Sequence, residues 1–471
     1  MTGAGVGALT ADGMPTHEGD LSVEGHGFEP IPADKRYGSV GRVFTVFFSP
    51  NLVPAAFFIG TLVAADFLKI GFLTGVIAII IGNLVGSIVV GAMAGMGPST
   101  GMAQMPLARL AYGKSVILPG LLNWISCIGW DGINSIFGAA ALTLLTGLPF
   151  LVSLLILVVL QGGLSILGYE AIHTFEKYMA IVLGVVFAAV TVVVLGKSAS
   201  GMARVDGLEG LDNLGAVVTY IAIVASFALA WALYASDYTR YLPVNASRSR
   251  IFWLTTLSLT IACGWLEILG LAVADQATDT SVDTINNLLG GGLIGGIAMV
   301  AIAIGTIAIN AMNDYTGSLS LQAAGVNVKR VYSAIVVAVL GFLFTIYLNQ
   351  GGFASKFENY LLFLAYWIAP WSAVLLVDWR LRGGKADVTG LTNFAKLPSG
   401  ILGLASLLIG FIVSLPFQAS SVGFELMDAG LPVNTISVNQ LHGADLGFEV
   451  GFVVAALIYW LGSRMGAGKT A

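Results

Sequence analysis

The sequence predicts an all-α integral membrane protein with about twelve transmembrane helices. Its 471 residues are 57% hydrophobic and only 10% charged, whereas soluble domains carry about 25% charged residues. A membrane-spanning helix needs about 20 mostly apolar residues, and the chain contains twelve such stretches. They lie at about residues 43–65, 70–95, 117–145, 148–168, 174–196, 214–236, 251–274, 292–322, 331–349, 357–378, 399–418 and 447–464.

The first predicted span is interrupted near its middle by Ser49-Pro50-Asn51 and by Pro54. Proline removes a backbone donor and clashes with the preceding helical turn. Irregular backbone at this depth is tolerated only where it is buried in protein or lines a cavity. The pattern therefore predicts a broken helix beside a cavity, and the alternative is a proline that only kinks the helix.

The sixth predicted span carries a second interruption, where Ser226, Phe227 and Trp231 reach the depth of the bilayer centre. Five spans separate the two interruptions, so the first and sixth helices run in opposite directions. Paired interruptions in inverted halves of a membrane protein indicate the binding site of a secondary transporter. We therefore expect a ligand site between these two helices.

Polar residues of the third span share one helical face, because spacings of three or four residues bring side chains together. The face includes Asn123, Trp130 and Asn134. Trp130 and Asn134 place an apolar plate and a carboxamide one turn apart, which suits a planar heterocycle that is stacked and also bound at its edge. The alternative is interhelical packing, with the amide bonded to a neighbouring helix.

The eighth span has a similar face that contains Thr306, Asn310 and Asn313. Each amide offers a donor and an acceptor, so two of them match the mixed hydrogen-bonding edge of a nucleobase. Helix packing is again the alternative. Ionisable residues within spans are functional candidates by default, and three stand out here, namely Asp131, Glu267 and Asp314.

Basic residues favour one orientation of the chain in the membrane. If both termini are cytoplasmic, only Lys69, Lys197, Arg204 and Lys356 lie outside, which leaves 17 of the 21 Lys and Arg residues inside. Cytoplasmic loops of membrane proteins carry an excess of these residues. We therefore predict a multi-pass protein of the cytoplasmic membrane with both termini inside.

Three motifs resemble the nucleobase–cation symporter family, and most nearly its purine–cytosine permease branch. They are Gly97-Pro-Ser-Thr-Gly-Met-Ala-Gln-Met-Pro-Leu-Ala-Arg109, Asn123-Trp-Ile-Ser-Cys-Ile-Gly-Trp-Asp-Gly-Ile-Asn134 and Asp237-Tyr-Thr-Arg-Tyr-Leu-Pro243. The likeness runs from about residue 36 to residue 380. It implies the LeuT-like fold, a five-plus-five inverted repeat with two extra C-terminal helices.

This resemblance divides the chain into five parts. We expect a disordered cytoplasmic tail over 1–42, a first repeat of helices 1–5 over 43–196 and a second repeat of helices 6–10 over 214–378. Two C-terminal helices then occupy 399–464, and a cytoplasmic tail follows over 465–471.

The resemblance also implies the substrate-binding residues. The stacking aromatic of the sixth helix falls on Trp231 or Phe227, of which we prefer Trp231. The expected substrate-binding set is Ser49, Trp130, Asn134, Ser226, Phe227, Trp231, Asn310 and Asn313.

The coupling ion is predicted from a departure from the family pattern. Sodium-coupled relatives carry adjacent hydroxyls just before the eighth-helix amides, whereas this chain has Ile307, Ala308 and Ile309, preceded by Thr306. A hard cation needs several oxygen ligands, so the sequence favours a proton over Na⁺. The ion-coupling candidates are Asp131, Thr306, Glu267 and Asp314, and Asp131 ranks first because it adjoins Trp130.

Together these features predict a symporter that imports a purine or pyrimidine base with a proton. We expect no enzyme activity, no resident metal or other cofactor and no nucleic-acid ligand. The expected partners are the transported base and the lipid bilayer, with no obligate protein partner. One alternative is the same fold carrying allantoin, hydantoin or a vitamin precursor. Others are an amino-acid transporter, or a channel, which would need a continuous polar stripe or a charged ring along its pore.

Overall fold

The computed structural model describes residues 29–65, 68–167, 169–196, 200–278, 280–326 and 328–466. Within these ranges, nine helices are long and apolar enough to cross a membrane. Two bent helix pairs and the shorter apolar helix Phe150–Ser165 add to them. Each of the twelve predicted stretches corresponds to one of these elements, and the chain is therefore a multi-pass, all-helical membrane protein.

We number the spans α1 to α12 in chain order. Span α1 consists of Arg42–Asn51 and Pro54–Ala64. Span α6 consists of the helix Gly210–Leu229, a 3-10 turn over Ala230–Tyr234 and the short helix Ala235–Thr239. The other spans are α2 (Phe72–Ala94), α3 (Ile117–Thr146), α4 (Phe150–Leu167), α5 (Tyr169–Gly196), α7 (Arg248–Ala272), α8 (Gly292–Ala323), α9 (Arg330–Leu348), α10 (Phe353–Leu381), α11 (Ile401–Ser414) and α12 (Gly447–Arg464).

The interruption predicted in α1 is present, whereas that of α6 begins at Ala230, after Ser226 and Phe227, which lie in the regular helix. In α1 the residues Ser49–Asn51 form a 3-10 turn, Val53 is extended, and the two halves of the span meet at 60°. Val53 is extended because a residue before proline is disfavoured in the helical region. Pro54 then begins the second half, a position where its missing N–H costs nothing.

Spans α3 and α8 pack against each other more extensively than any other pair of helices in the described part of the chain. Small residues permit this approach, since a Cβ added at Gly138 would lie 2.6 Å from Thr306 Oγ1. This packing brings the polar faces of α3 and α8 together, beside the two interrupted spans.

Residues 29–41 differ from the expected disordered tail, because they pack against the loops next to α6 and α2. Ile31 N–H donates to Gly101 O at 2.9 Å, and Tyr37 N–H donates to Tyr241 O at 3.0 Å. These backbone bonds, which join distant parts of the chain, give no local sequence signal. Residues 1–28 and 467–471, the rest of the expected tails, lie outside the described residues.

Spans α1 and α7 cross so closely that they require glycine on both sides. A Cβ at Gly60 would lie 1.9 Å from Glu267 O, and one at Gly270 would lie 1.9 Å from Phe57 O. Because overpacking a close contact typically costs about 1–3 kcal/mol, we expect Gly60→Ala to lower the thermal unfolding midpoint of the purified protein. Gly163→Ala is the matched control, since no atom lies within 4 Å of its added Cβ. Equal midpoints for the two variants would refute this account of the crossing.

Candidate substrate-binding site

A cavity lies between the interruptions of α1 and α6 and the polar faces of α3 and α8. Among the described residues, those that line it include no acidic or basic side chain. They are Pro50, Asn51, Val53, Trp130, Asn134, Phe227, Ala230, Trp231, Tyr234, Tyr238, Ile309, Met312, Asn313 and Thr316.

Trp130 forms part of the wall contributed by α3 and is held by aromatic neighbours. Its ring contacts the ring of Phe227 at 5.5 Å between centroids, with the two planes at 75°, and that of Tyr360 at 5.3 Å and 86°. Edge-to-face contacts of this kind are favourable and fix the orientation of both rings. The indole is therefore oriented before any ligand arrives.

Trp231 lies in the 3-10 turn of α6 and bonds directly to the interruption of α1. Its Nε1–H donates to Asn51 Oδ1 at 2.9 Å, and Asn51 Nδ2 in turn donates to Phe47 O at 2.7 Å. The two interrupted spans thus meet through one side-chain bond at the cavity. Both aromatics that the sequence left as alternatives, Phe227 and Trp231, line the cavity.

The three predicted asparagines occupy different layers of the site. Asn134 and Asn313 line the cavity, whereas Asn310 lies behind Asn134 and is fully buried. Asn134 Nδ2 donates to Asn310 Oδ1 at 3.1 Å. Asn313 Nδ2 is buried without a hydrogen-bond partner among the described residues, so this donor is available for an acceptor on a ligand.

Ser49 and Ser226 do not line the cavity. Ser226 lies in the regular part of α6, where its hydroxyl donates to Ala222 O at 2.6 Å, and Ser49 lies in the 3-10 turn of α1. Instead, Asn51 supplies the polar side chain of α1. A carboxamide within the proline-interrupted segment is the sequence signal that could have found it.

The cavity wall also contains Tyr234, Tyr238 and Thr316, which were not among the predicted residues. Thr316 lies three residues after Asn313 on α8, so helical spacing could have found it. The tyrosines follow Trp231 in the sequence, but which of them face the cavity depends on the 3-10 geometry of this segment.

Asp131 lies behind the cavity wall and is fully buried. Gln161 Nε2 donates to both of its carboxyl oxygens at 2.9 Å. Asp314, also fully buried, lies within electrostatic range of Asp131. The two acids therefore belong to one polar cluster of α3, α4 and α8, adjacent to the cavity but outside its lining.

The other two ion-coupling candidates occupy separate places. Glu267, on α7, accepts a bond from Asn83 of α2 and does not line the cavity. Thr306 is one helical turn before Asn310, and its hydroxyl lies 3.5 Å from the backbone oxygen of Asn134. Thr306 therefore contacts the helix that carries the cavity wall, whereas Glu267 belongs to a different helix pair.

The architecture and the site together define a membrane carrier with the LeuT-like fold. The chain is similar to the solved structure of Mhp1, a nucleobase-cation-symport-1 family transporter, in a closed conformation with bromovinylhydantoin bound. The TM-score is 0.74, with 17% identity, 94% of this chain covered and 96% of that chain covered. At this identity the similarity establishes the fold.

The chain belongs to the nucleobase–cation symporter family, in its purine–cytosine permease branch. The model of the family described as "Permease for cytosine/purines, uracil, thiamine, allantoin" matches residues 30–433. The purine-cytosine permease fcyB of Emericella nidulans is 29% identical over 93% of this chain and 88% of its own length. The putative purine-cytosine permease YxlA of Bacillus subtilis is 25% identical over 94% and 96%. The expected family and fold are thereby confirmed.

Proposed function

We propose that this protein imports a purine or pyrimidine base, of the cytosine or purine type, by proton symport. The observation that carries the proposal is the composition of the cavity wall, in which aromatic rings and carboxamides surround a space without charged side chains. A neutral planar ring gains stacking from Trp130 and Trp231. Its polar edge gains hydrogen bonds from Asn134 and Asn313.

The proton is favoured over Na⁺ by the side chains around the site. Before Asn310, α8 carries Ile307, Ala308 and Ile309, none of which offers a side-chain oxygen. A sodium site needs several oxygen ligands, whereas a proton needs a single acceptor of suitable basicity. Asp131 is the first candidate for this acceptor because it lies in the polar cluster next to the cavity wall.

Uptake measurements test the coupling. We expect uptake of a radiolabelled base to be unchanged when external Na⁺ is replaced by K⁺ or choline. We also expect a protonophore to abolish uptake at low external pH, because the driving force is then lost. A steep dependence on external Na⁺ would contradict proton symport, while uptake driven by either ion would still support base transport.

The proposed location is the cytoplasmic membrane, with both termini inside. The asymmetry of Lys and Arg between the loops supports this orientation. We expect epitope tags placed after residue 20 and at the C-terminus to be inaccessible to antibody in intact cells and accessible after permeabilisation. Labelling of either tag in intact cells would contradict the orientation.

A further inference from the structure

A continuous row of four polar side chains leads from Asp131 to the cavity. Gln161 Nε2 donates to both carboxyl oxygens of Asp131, and Gln161 Oε1 accepts from Asn310 Nδ2 at 3.0 Å. Asn310 Oδ1 then accepts from Asn134 Nδ2 at 3.1 Å. Asn134 lines the cavity, while the other three are fully buried behind it. The row therefore connects a buried acid to the wall of the binding site.

The row has a direction that the carboxylate sets. An ionised carboxylate only accepts hydrogen bonds, whereas a carboxamide donates at its nitrogen and accepts at its oxygen. Gln161 therefore turns its nitrogen to Asp131 and its oxygen to Asn310. Each following amide repeats this order, and Asn134 uses its nitrogen within the row. Its oxygen, an acceptor, is the atom left for a ligand.

A proton on Asp131 reverses this order. The protonated carboxyl keeps one acceptor oxygen but gains a hydroxyl donor. Gln161 is the only side-chain hydrogen-bond partner of this carboxyl among the described residues, and it presents a nitrogen that cannot accept. The buried hydroxyl is therefore left unpaired, which is costly. Turning over the terminal amide of Gln161 removes the conflict, since this torsion is roughly two-fold. Asn310 and Asn134 must then turn over as well, and Asn134 presents its nitrogen, a donor, to the ligand.

We infer that Gln161 and Asn310 are positioning residues of a relay, through which a proton on Asp131 changes Asn134 from a hydrogen-bond acceptor to a donor at the substrate. The inference rests on the proposed function, because such a relay has a role only in a proton-coupled carrier of a polar ring. Through this relay, proton binding at Asp131 would change which hydrogen-bonding edge of the substrate fits the cavity.

The surroundings of Asn310 favour the orientation that is observed. Its Nδ2 also lies 3.0 Å from Ser135 Oγ and 3.1 Å from the backbone oxygen of Asp131. The hydroxyl of Ser135 can donate or accept, so it adapts to either orientation, but the carbonyl only accepts. The inverted row therefore loses the bond from Asn310 to the backbone oxygen of Asp131. For this reason we expect it to form only when Asp131 is protonated.

Among the residues that the structure describes, the other titratable groups near Asp131 do not bond to the relay amides. Asp314 of α8 and Cys127 of α3 lie within electrostatic range of it. Span α9 faces the carboxyl with Gly341, where an added Cβ would lie 2.2 Å from Oδ2. Within the described residues, the side-chain hydrogen bonds of Gln161 all lead to Asp131 and Asn310, so the row begins at Asp131.

The test compares adenine and hypoxanthine, which have opposite hydrogen-bonding patterns along one edge. Adenine has a 6-amino donor beside an N1 acceptor, whereas hypoxanthine has a 6-carbonyl acceptor beside an N1–H donor, and we expect Asn134 to contact the 6-substituent. Their affinities are measured on the purified full-length protein at neutral and at mildly acidic pH. We expect acidification to shift the adenine-to-hypoxanthine affinity ratio toward hypoxanthine by about tenfold, the effect of one mismatched buried hydrogen bond. Asp131→Asn and Gln161→Met should each make the ratio independent of pH.

Two matched controls separate the relay from general effects of pH or packing. Gln418→Met removes a buried glutamine that bonds to Ser414. Asp445→Asn removes a buried acid that lies outside the spans, whose pKa is raised by burial to about 6. Because neither residue belongs to the row, both variants should keep the pH response of the wild type.

The outcomes test the relay and the proposed function separately. A ratio that is independent of pH in the wild type refutes the relay without any variant, even if both bases bind and uptake is proton-driven. A pH response that survives in Gln161→Met also refutes it, and this variant suffices if Asp131→Asn does not fold. Failure of every base to bind the wild type refutes the proposed function itself, and the relay with it.

Discussion

Replacing Asn313 with alanine is expected to weaken base binding by more than about 1 kcal/mol. Asn313 lines the cavity, and its Nδ2 is a buried donor without a hydrogen-bond partner among the described residues. A ligand acceptor that pairs with this nitrogen gains a hydrogen bond in a largely buried site. The alanine variant leaves that ligand atom unpaired, which is the costly outcome for a buried polar group.

The substitution Asn313→Asp tests recognition more sharply than the alanine variant, because it exchanges a donor for an acceptor at nearly constant volume. A site that bonds a particular polar edge strongly rejects ligands with the wrong edge. We therefore expect Asn313→Asp to change the rank order in which unlabelled bases compete with one labelled base.

Asn123→Ala is the control for both Asn313 variants. Asn123 is a buried amide of α3 that bonds to Ser320 and does not line the cavity, so its loss should leave the rank order unchanged. Uniform weakening without reordering in Asn313→Asp, or no effect at all, would mean that Asn313 only holds helices together.

Trp130→Ala is expected to lower base affinity by about 1–3 kcal/mol, the typical contribution of stacking between a base and an aromatic side chain. Trp130→Phe should lose less, because a smaller ring keeps part of the plate. The edge-to-face contacts with Phe227 and Tyr360 hold the indole in place, so little ordering cost is expected when the ligand binds. Competition binding on purified protein measures both variants.

Trp265→Ala is the control for Trp130→Ala, because it removes an indole that lies outside the cavity lining. Trp265 lies on α7, outside the cavity lining, and donates to Thr191 Oγ1 at 3.0 Å. Its removal is expected to affect stability but not affinity. If Trp130→Ala bound bases with unchanged affinity, the face of α3 would be helix packing and the binding site would lie elsewhere.

Much of the fold follows from local patterns. The twelve apolar stretches are found by length and composition alone, and the break in α1 follows from Pro50 and Pro54. The shared face of Trp130 and Asn134 follows from helical spacing, and both line the cavity. Their roles in binding stay predictions, because position in a cavity wall does not measure affinity.

Other features depend on which helices meet, and the sequence alone does not provide that. The bond between Trp231 and Asn51 joins residues 180 positions apart. Gln161 bonds to Asp131 only because α4 packs beside α3. Ser226 shows the converse, since a serine near an interruption satisfied its hydroxyl within its own helix. Residues 29–41 pack through backbone bonds and through side chains such as Tyr37, whose ring contacts that of Tyr241. These contacts are with distant parts of the chain, which local patterns do not reveal.

The central claim, that the cavity binds a neutral nucleobase, is tested most directly by a thermal-shift screen of the purified protein. The panel contains nucleobases, nucleosides, hydantoins, allantoin, vitamin precursors and amino acids. A ligand present at 100 times its Kd stabilises the folded state by about 2.7 kcal/mol. We predict a concentration-dependent rise in the unfolding midpoint with at least one nucleobase, which Trp130→Ala reduces. Stabilisation by amino acids alone, or by no nucleobase at any concentration, would contradict the claim.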